Sequence, residues 1–260
     1  MIAKQIYSGR TVSDAWLQAF TAVAEAPGQR LYHLVVQIDA AHRELPKIRH
    51  IADDVLASLK LADEPTIVTV RNTIFPKGLV RSVNSPSDLP RAFEEGREGR
   101  KRLRVSNAKG RYFERLIALH RSDGQPFNQL AHTIEKLKGA KARARYEIDL
   151  MTEVDVPDGL GVYSSERDAD KPSRMGFPCL SHLAFQTEQN RVHCVAFYRS
   201  QDLSTRGYGN YWGIGQLQEF VAKEATLTPG TLTVIAGIAT LGITRENARQ
   251  FIERAGEATP

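Results

Sequence analysis

One cysteine of this sequence stands among polar residues that suit covalent chemistry. The chain contains two cysteines, Cys179 and Cys194, which are too few for a disulfide scaffold or a four-thiolate zinc site, so no metal centre is expected. The thiolate is the reactive form of cysteine, and a nearby arginine favours that charged form. The ordinary alternative for either residue is a buried small hydrophobe. We adopt that interpretation for Cys194 and consider Cys179 as a nucleophile.

Several polar residues follow Cys179 at a distinctive spacing. Pro178-Cys179 is followed by Tyr198-Arg199-Ser200-Gln201-Asp202 and then by Asn210, so that Arg199, Asp202 and Asn210 lie 20, 23 and 31 residues after the cysteine. This arrangement resembles the active-site core of the thymidylate synthase family, which has a Pro-Cys nucleophile, an Arg-Ser-x-Asp segment and an asparagine that opens the next helix. A Pro-Cys pair alone would indicate nothing, but the four residue types fall in register without a gap.

The resemblance extends over more than half of the chain, from about Tyr112 to the C-terminus. Leu227-Thr228-Pro229-Gly230 is similar to a turn that precedes a strand in the family. Phe127 to Lys138 is similar to one of its helices, and Arg143 and Arg145 are similar to its arginine pair. Residues 1–100 match poorly.

The resemblance implies a role for each residue of the core. In the family, the thiolate, here Cys179, adds to C6 of a pyrimidine, and C5 then attacks a one-carbon unit from a folate such as 5,10-methylenetetrahydrofolate. Arg199 and Ser200 would bind phosphate, since a guanidinium and a hydroxyl both donate to phosphate oxygens. Their alternative is a surface ion pair. Asp202 would support the ring or cofactor end, and Asn210 would pair with the base edge, which favours uracil.

The resemblance also implies partners. The substrate would be a pyrimidine nucleoside monophosphate, and a homodimer would share its sites. Arg143 and Arg145 would then reach the phosphate bound by the partner subunit. The alternative for these two arginines is a solvated charge pair between a helix and a strand.

Several positions depart from the family pattern. The residues that hold the sugar hydroxyl in the family would fall at Thr240 and Gly242, which cannot make the same contacts, so we expect altered sugar recognition. Leu180 replaces the histidine that follows the nucleophile. Strand alternation predicts that Leu180 and His182 share one face, opposite Ser181 and Cys179.

The sequence shows no clear counterpart of the family glutamate that organises proton transfer or of the segment that closes over folate. Asp53 and Asp54 lie near the position of an early glutamate in the family, but an acidic pair on a helix is usually solvated, so the general base is not identified. The printed sequence ends 18 residues after Gly242. We therefore expect the segment that closes over folate in the family to be missing, and the folate site to be incomplete.

Periodicity predicts the elements that position these residues. Helical spacing is found in the following ranges: 12–24, 46–61, 89–98, 112–119, 126–137, 211–224 and 245–255. Strand patterns occur in these ranges: 31–38, 66–70, 146–154, 183–185, 192–198 and 232–236. The sequence predicts an α/β (α+β) fold, a single thymidylate synthase-like domain over 1–260 with a mixed curved sheet covered by helices. Its residues 1–100 would be a divergent α/β part, and 112–260 the part that resembles the family core. A loop-rich excursion is expected over 155–177.

Composition and charge limit the alternatives. The net charge is +5, with a basic run at 97–104, which is typically a solvated face; without an accompanying nucleic-acid motif we expect no nucleic-acid partner. No long apolar run or signal peptide occurs, so we expect a cytoplasmic protein without a membrane association.

Three functional interpretations remain open. A divergent transferase is favoured by the residues at 179, 199, 200, 202 and 210. A non-catalytic nucleotide-binding or assembly protein is favoured by the changes at 240 and 242. A nucleic-acid module using the basic run is the third, and its binding would depend steeply on salt.

Overall fold

The computed structural model describes residues 5–58, 66–99, 112–120, 126–138, 145–149 and 179–258. The strands are β1 (Ile6–Thr11), β2 (Arg30–Ala40), β3 (Leu119–His120), β4 (Pro126–Phe127), β5 (Arg145–Asp149), β6 (Leu180–Glu188), β7 (Arg191–Asp202) and β8 (Thr228–Thr240). The helices are α1 (Val12–Glu25), α2 (Pro46–Ser58), α3 (Ile67–Ile74), α4 (Lys77–Val80), α5 (Leu89–Gly99), α6 (Tyr112–Ile117), α7 (Gln129–Lys138), α8 (Tyr208–Glu224) and α9 (Arg245–Ala258). A π-helical turn, Leu203–Gly207, leads into α8.

Six of these strands form one mixed sheet in the order β1-β2-β8-β7-β6-β5. The β1–β2 and β7–β8 pairs are parallel, and the other neighbouring pairs are antiparallel. β3 and β4 pair separately. Strands from both ends of the described chain therefore build the same sheet. This architecture confirms the predicted α/β class, a mixed sheet with helices.

The two faces of the sheet differ in burial. Along β7, Cys194, Ala196 and Tyr198 are buried, whereas Phe197 and Arg199 between and after them are exposed. Successive side chains of a strand point to opposite faces. One face therefore packs against helices, and the other is left uncovered by the described residues.

Helix α1 is fixed at both its start and its apolar face. The Thr11 side chain accepts from the Asp14 N–H at 3.3 Å, while the Asp14 carboxylate accepts from the Thr11 N–H at 3.0 Å, a reciprocal cap that satisfies two free donors of the first turn. On the buried face, the Trp16 ring contacts Phe20, Tyr208 and Phe251 at centroid distances of 5.0 to 5.2 Å. This aromatic cluster joins α1, α8 and α9.

Helix α8 is buried on nearly all sides and approaches its neighbours closely. A Cβ atom at Gly209 would lie 2.7 Å from both the Ile67 carbonyl oxygen and the Val70 Cβ of α3. A Cβ at Gly215 would collide with the Ala41 carbonyl. The absence of side chains at these two positions is what allows the backbone of α8 to reach α3 and the loop after β2.

The prediction of a strand over 66–70 was wrong, because these residues begin α3. Thr66 caps the helix by accepting from the Thr69 N–H at 3.2 Å. The buried residues Ile67, Val70 and Ile74 recur at helical spacing and face α8. β-branched residues favour strands in isolation, but here tertiary packing overrides that local preference.

Within the described residues, the remaining predicted elements agree with the structure except at their ends. Residues 126–127 form β4 instead of beginning a helix, and α7 starts at Gln129. β1 was not predicted, since its pairing with β2 depends on a distant segment. The predicted loop 155–177 and most of the basic run 97–104 lie outside the described residues.

Candidate functional site

Cys179 lies immediately before β6 and contacts β7 through the backbone. The Arg199 N–H donates to the Cys179 carbonyl with an N···O distance of 2.9 Å. Cys179 is half-buried and packs against the core. Cys194 is only 1% exposed, and burial raises the pKa of its thiol far above the usual value. This agrees with the prediction that Cys194 is an inert buried residue.

Tyr112 of α6 fixes the backbone at Cys179. Its hydroxyl oxygen accepts from the N–H of Cys179 at 3.1 Å and from the N–H of Leu180 at 3.3 Å. Burial, followed by the nearby Cys179 side chain, raises the pKa of Tyr112. The tyrosine therefore stays neutral and keeps its own proton to donate. Sequence reasoning did not identify Tyr112, because its contact with Cys179 spans 67 residues of the chain.

A β-bulge next to Cys179 changes which side chains share a face. Leu180 lies opposite Tyr198, whereas His182 lies opposite Phe197, so one extra residue, Ser181, is inserted in β6. The Ser181 hydroxyl donates to the Phe197 carbonyl at 3.1 Å. Leu180 is thus on the buried face and His182 on the uncovered one. The prediction that Leu180 and His182 share a face was wrong, because a bulge shifts the alternation by one residue.

Arg199 and Ser200 follow directly in β7. Tyr198 is fully buried and Arg199 is exposed, so the Arg199 side chain leaves the sheet on the side opposite the Tyr198 ring. Ser200 is half-buried. The structure therefore brings Cys179 and Arg199 together through their backbones.

Asp202 caps the turn that leads into α8. Its Oδ1 atom accepts from the N–H of Ser204 at 2.8 Å, from the N–H of Thr205 at 3.2 Å and from the Ser204 hydroxyl at 2.5 Å. The Ser204 hydroxyl in turn accepts from the Gly242 N–H at 3.0 Å. A Cβ atom at Gly242 would collide with Asp202 Oδ2. A larger residue at 242 is therefore incompatible with this position of Asp202.

Asn210 lies in the first turn of α8 and is 6% exposed. On one side of it, Tyr211 donates to Gln201 Oε1 of β7 at 3.0 Å. On the other side, Gly209 packs against α3. At 100° per residue, the Asn210 side chain leaves the helix between the sheet and α3. No hydrogen bond to its amide joins it to another described residue, so a buried donor and acceptor remain available there.

Two further polar atoms, both on β7, are buried without a partner. The Tyr198 hydroxyl and the Gln201 Nε2 are both inaccessible and make no hydrogen bond. Burial, followed by the proximity of Tyr112, Tyr211 and Cys179, raises the pKa of Tyr198 well above its usual value. Unpaired polar groups inside a protein usually indicate a ligand or water that completes them.

The carboxylates proposed near the early glutamate have structural partners. Asp53 accepts from the Ile67 N–H at 3.1 Å, at the start of α3, and pairs with Arg49 at 3.3 Å. Asp54 pairs with Arg254 at 3.0 Å. These contacts give both carboxylates a role in stabilising helices.

A second polar cluster lies on the other side of α8. The Tyr208 hydroxyl lies 2.7 Å from the Ser13 hydroxyl and donates to Glu44 at 3.3 Å. Glu44 also pairs with Arg49 at 3.1 Å. Glu44 is thus a carboxylate next to the start of α8 that sequence reasoning missed, since it lies in a loop without a helical or strand pattern.

The other predicted site residues are only partly described. Arg145 begins β5, with its backbone opposite Gln186 of β6, and Arg143 lies outside the described residues. Among the residues that the structure covers, no group of three His, Cys, Asp or Glu side chains could hold a metal ion. No helix in the described ranges is both long and apolar enough to cross a membrane.

Comparison with known proteins finds relatives that match parts of the chain. No protein-family model matches the chain. A thymidylate synthase of Rhodopseudomonas palustris (strain BisA53) is 27% identical over 143 residues, which is 54% of this chain and 42% of the relative. The chain is therefore similar to thymidylate synthases, at low identity and over part of its length.

Shorter matches occur with two proteins named "Putative thymidylate synthase". That of Methanopyrus kandleri is 37% identical over 75 residues, covering 28% of this chain and 34% of the relative. That of Methanococcoides burtonii is 32% identical over 59 residues, covering 23% of this chain and 27% of the relative. The matches thus span about a quarter to two fifths of the length of these curated relatives.

The role of Tyr112 can be tested with Tyr112→Phe. Removing the hydroxyl leaves the N–H groups of Cys179 and Leu180 unpaired, which should lower the free energy of unfolding by about 1–3 kcal/mol. The loosened backbone should also raise the rate at which iodoacetamide alkylates Cys179 severalfold. Tyr32→Phe is the control, since Tyr32 is 51% exposed, and it should change neither quantity. If Tyr112→Phe left both the free energy of unfolding in urea and the alkylation rate of Cys179 unchanged, this role of Tyr112 would be contradicted.

Proposed function

We propose that this protein is a transferase that acts at C5 of a pyrimidine nucleoside monophosphate, with uracil as the favoured base and Cys179 as the covalent nucleophile. One observation carries the proposal. The half-buried Cys179 is fixed by hydrogen bonds from its N–H to Tyr112 and from the Arg199 N–H to its carbonyl, in a chain that is similar to thymidylate synthases.

The proposed chemical step uses a thiolate and an amide. The Cys179 sulfur forms a bond to C6, and the electron pair of the C5=C6 bond moves to C5 and, by conjugation, to O4. The amide N–H of Asn210 donates to O4 and stabilises the developing negative charge, while its carbonyl accepts from N3–H. After substitution at C5, loss of the C5 proton expels the thiolate and restores the double bond. The described residues do not identify the base that removes this proton.

The phosphate end would use residues of β7. Arg199 is exposed and Ser200 is half-buried at the end of the segment that contacts Cys179, and both can donate to phosphate oxygens. Arg143 and Arg145 belong to this proposal as phosphate ligands from a partner subunit. Their contribution would explain why the phosphate site includes Arg199, which faces away from the buried side of the sheet.

One carboxylate oxygen, Asp202 Oδ2, is also suited to bind a folate. Asp202 uses Oδ1 for three hydrogen bonds, while Oδ2 accepts none from the described residues. This oxygen is a suitable acceptor for the amino and ring N–H groups of a pterin. When bound, 5,10-methylenetetrahydrofolate would supply the one-carbon unit for C5. A methyl and a hydroxymethyl product remain alternatives within this proposal.

The residues expected near the sugar, Thr240 and Gly242, favour a second candidate function. Gly242 packs against Asp202 and offers no side chain to a sugar hydroxyl, and Thr240 has only a short hydroxyl. A protein with these residues could bind the base and phosphate of a nucleotide without turning it over. Such a non-catalytic nucleotide-binding protein would keep Asn210 and Arg199 but would not need Cys179.

We also infer a homodimer that is formed through the uncovered face of the sheet. Neighbouring positions on adjacent strands place Ile6, Val35, Ile235 and Phe197 in one transverse row. Ile6 is 56% exposed and Phe197 is 40% exposed. A continuous apolar row on an open sheet face is unusual for an isolated chain and is typical of an interface. A second copy covering it would bring arginines of the partner near Arg199, as sharing of sites requires.

Release of tritium from C5 tests the enzymatic proposal. Deoxyuridine, uridine and cytidine monophosphates labelled at C5 are incubated with the protein, with and without 5,10-methylenetetrahydrofolate. We expect exchange with a uracil nucleotide, and we expect Cys179→Ala to abolish it because the carbanion at C5 forms only after addition at C6. Cys194→Ala should retain exchange, since that thiol is buried elsewhere.

Two further results separate the candidates. Asn210→Asp should shift exchange from uracil toward cytosine nucleotides, because a carboxyl group changes the donors and acceptors offered to the base. Nucleotide binding without exchange of any label would overturn the transferase and support the non-catalytic protein.

The dimer is tested by size-exclusion chromatography with light scattering. The unmodified protein should elute with the mass of two chains, and Phe197→Glu should give a single chain because it inserts a charge into the apolar row. Arg249→Glu, an exposed change on α9, should remain dimeric. A single-chain mass for the unmodified protein, or a dimer of Phe197→Glu, would contradict the proposed interface.

A further inference from the structure

A cavity of about 340 Å³ lies between the C-terminal half of α8 and the segment that follows α3. It is lined by Gln216 and Phe220 of α8, and by Phe75 and Val80 from the opposite side. Its size suits a small organic molecule. Gln216 lies six residues after Asn210 on α8, and helical spacing turns it toward α3 and α4, away from the direction of Asn210. The cavity is thus distinct from the site around Cys179.

The apolar part of the cavity is aromatic. The rings of Phe75 and Phe220 lie 5.7 Å apart between centroids and are tilted by 48°. Phe75 is 5% exposed and Val80 is 7% exposed, and Val83 adds a further apolar side chain to the lining. An aromatic ring of a ligand could pack edge-on or offset against these two phenylalanines, as aromatic pairs do.

A buried glutamine of α8 lines this cavity and has an amide oxygen without a hydrogen bond. Gln216 is 6% exposed, and its Oε1 atom is inaccessible and unpartnered. Two residues further along α8, the Gln218 amide donates to the Val192 carbonyl at 2.7 Å and to the Gly230 carbonyl at 3.2 Å. Gln218 thus forms hydrogen bonds to protein carbonyl groups, whereas the Gln216 oxygen forms none. At Gln216 a hydrogen-bonding group is missing, and a buried amide without one is costly.

The rim of the cavity is rich in cations. Lys77, Arg81 and Lys223 line it, and none takes part in the ion pairs found among the described residues. Glu219 and Glu224 also line the rim, so the excess is one positive charge. This arrangement favours a ligand with a single negative charge.

We propose that this cavity is a binding site for a small aromatic anion that carries a hydroxyl or N–H group on the side of the ring opposite its negative charge. The ring packs against Phe75 and Phe220, and the anionic group lies among Lys77, Arg81 and Lys223. The polar group bonds to the Gln216 amide after that side chain turns its oxygen toward the cavity. The site takes no part in the proposed transferase reaction. Because Gln216 and Asn210 belong to one helix, a ligand here also contacts the element that carries the base-reading residue.

Titration calorimetry with 4-hydroxybenzoate tests this site. The compound has a ring, a hydroxyl and a carboxylate in the required order. We expect one molecule to bind per chain in the millimolar range or tighter. Benzoate, which lacks the hydroxyl, should bind about tenfold more weakly because one hydrogen bond is lost, and phenol, which lacks the carboxylate, should also bind more weakly.

Substitutions of lining residues test whether the compound binds in this cavity. Gln216→Met keeps the length of the side chain but removes the amide, so it should bind 4-hydroxybenzoate and benzoate equally. Lys223→Gln, an exposed change that does not threaten folding, should weaken both carboxylates and leave phenol unchanged. Gln250→Met, on the exposed side of α9, is the control and should behave as the unmodified protein.

Three outcomes would overturn the proposal. They are the absence of heat with 4-hydroxybenzoate at millimolar concentration, equal affinity of Lys223→Gln and the unmodified protein, and a Gln216→Met variant that folds and still prefers 4-hydroxybenzoate over benzoate. Tritium exchange at C5 is measured separately and does not depend on any of these results.

Discussion

The placement of helix α8 is the constraint on which both candidate sites depend. Its backbone approaches α3 at Gly209 and the loop after β2 at Gly215 so closely that no Cβ atom could be present. With the helix held at this depth, Tyr211 and Gln218 reach the sheet and form hydrogen bonds there. The same placement buries Asn210 without a described partner. A larger residue at either glycine would move the helix outward and separate these side chains from their partners.

Cys179 is positioned by a bulge in β6 and by hydrogen bonds to a tyrosine of α6. The bulge at Ser181 places Leu180 in the core, while the hydroxyl of Tyr112 holds the two N–H groups at the start of β6. These contacts leave the sulfur half-buried near Tyr198, whose hydroxyl has no partner. The unpaired atoms at Tyr198 and Gln201 belong to β7, the strand that contacts Cys179, and Asn210 belongs to α8, which follows it. In this account, polar groups that lack protein partners near the thiol are those that a pyrimidine nucleotide would complete.

Hydrophobic periodicity was sufficient to predict a helix or strand wherever the segment buries one face. Alternation located β7 and β8, and the 3.6-residue period located α1, because those periods reflect burial of a single side. Pattern failed at 66–70, where β-branched residues at helical spacing pack against α8. It also failed at Leu180 and His182, because a bulge cannot be seen in the sequence of one strand. The residues 179, 199, 202 and 210 were proposed from their spacing and its resemblance to a family core. The contact of Tyr112 with Cys179 joins distant segments, which spacing does not encode.

The central claim is that Cys179 forms a covalent bond to a pyrimidine, and a trapped adduct tests it most directly. A fluorine at C5 cannot leave as a proton does, so 5-fluorodeoxyuridine monophosphate with 5,10-methylenetetrahydrofolate should stop the reaction after the sulfur has added. Intact-protein mass spectrometry should then detect a chain that carries the nucleotide, and peptide mapping should assign the modification to Cys179. A chain that stays unmodified, or a modification on Cys194, would contradict the account.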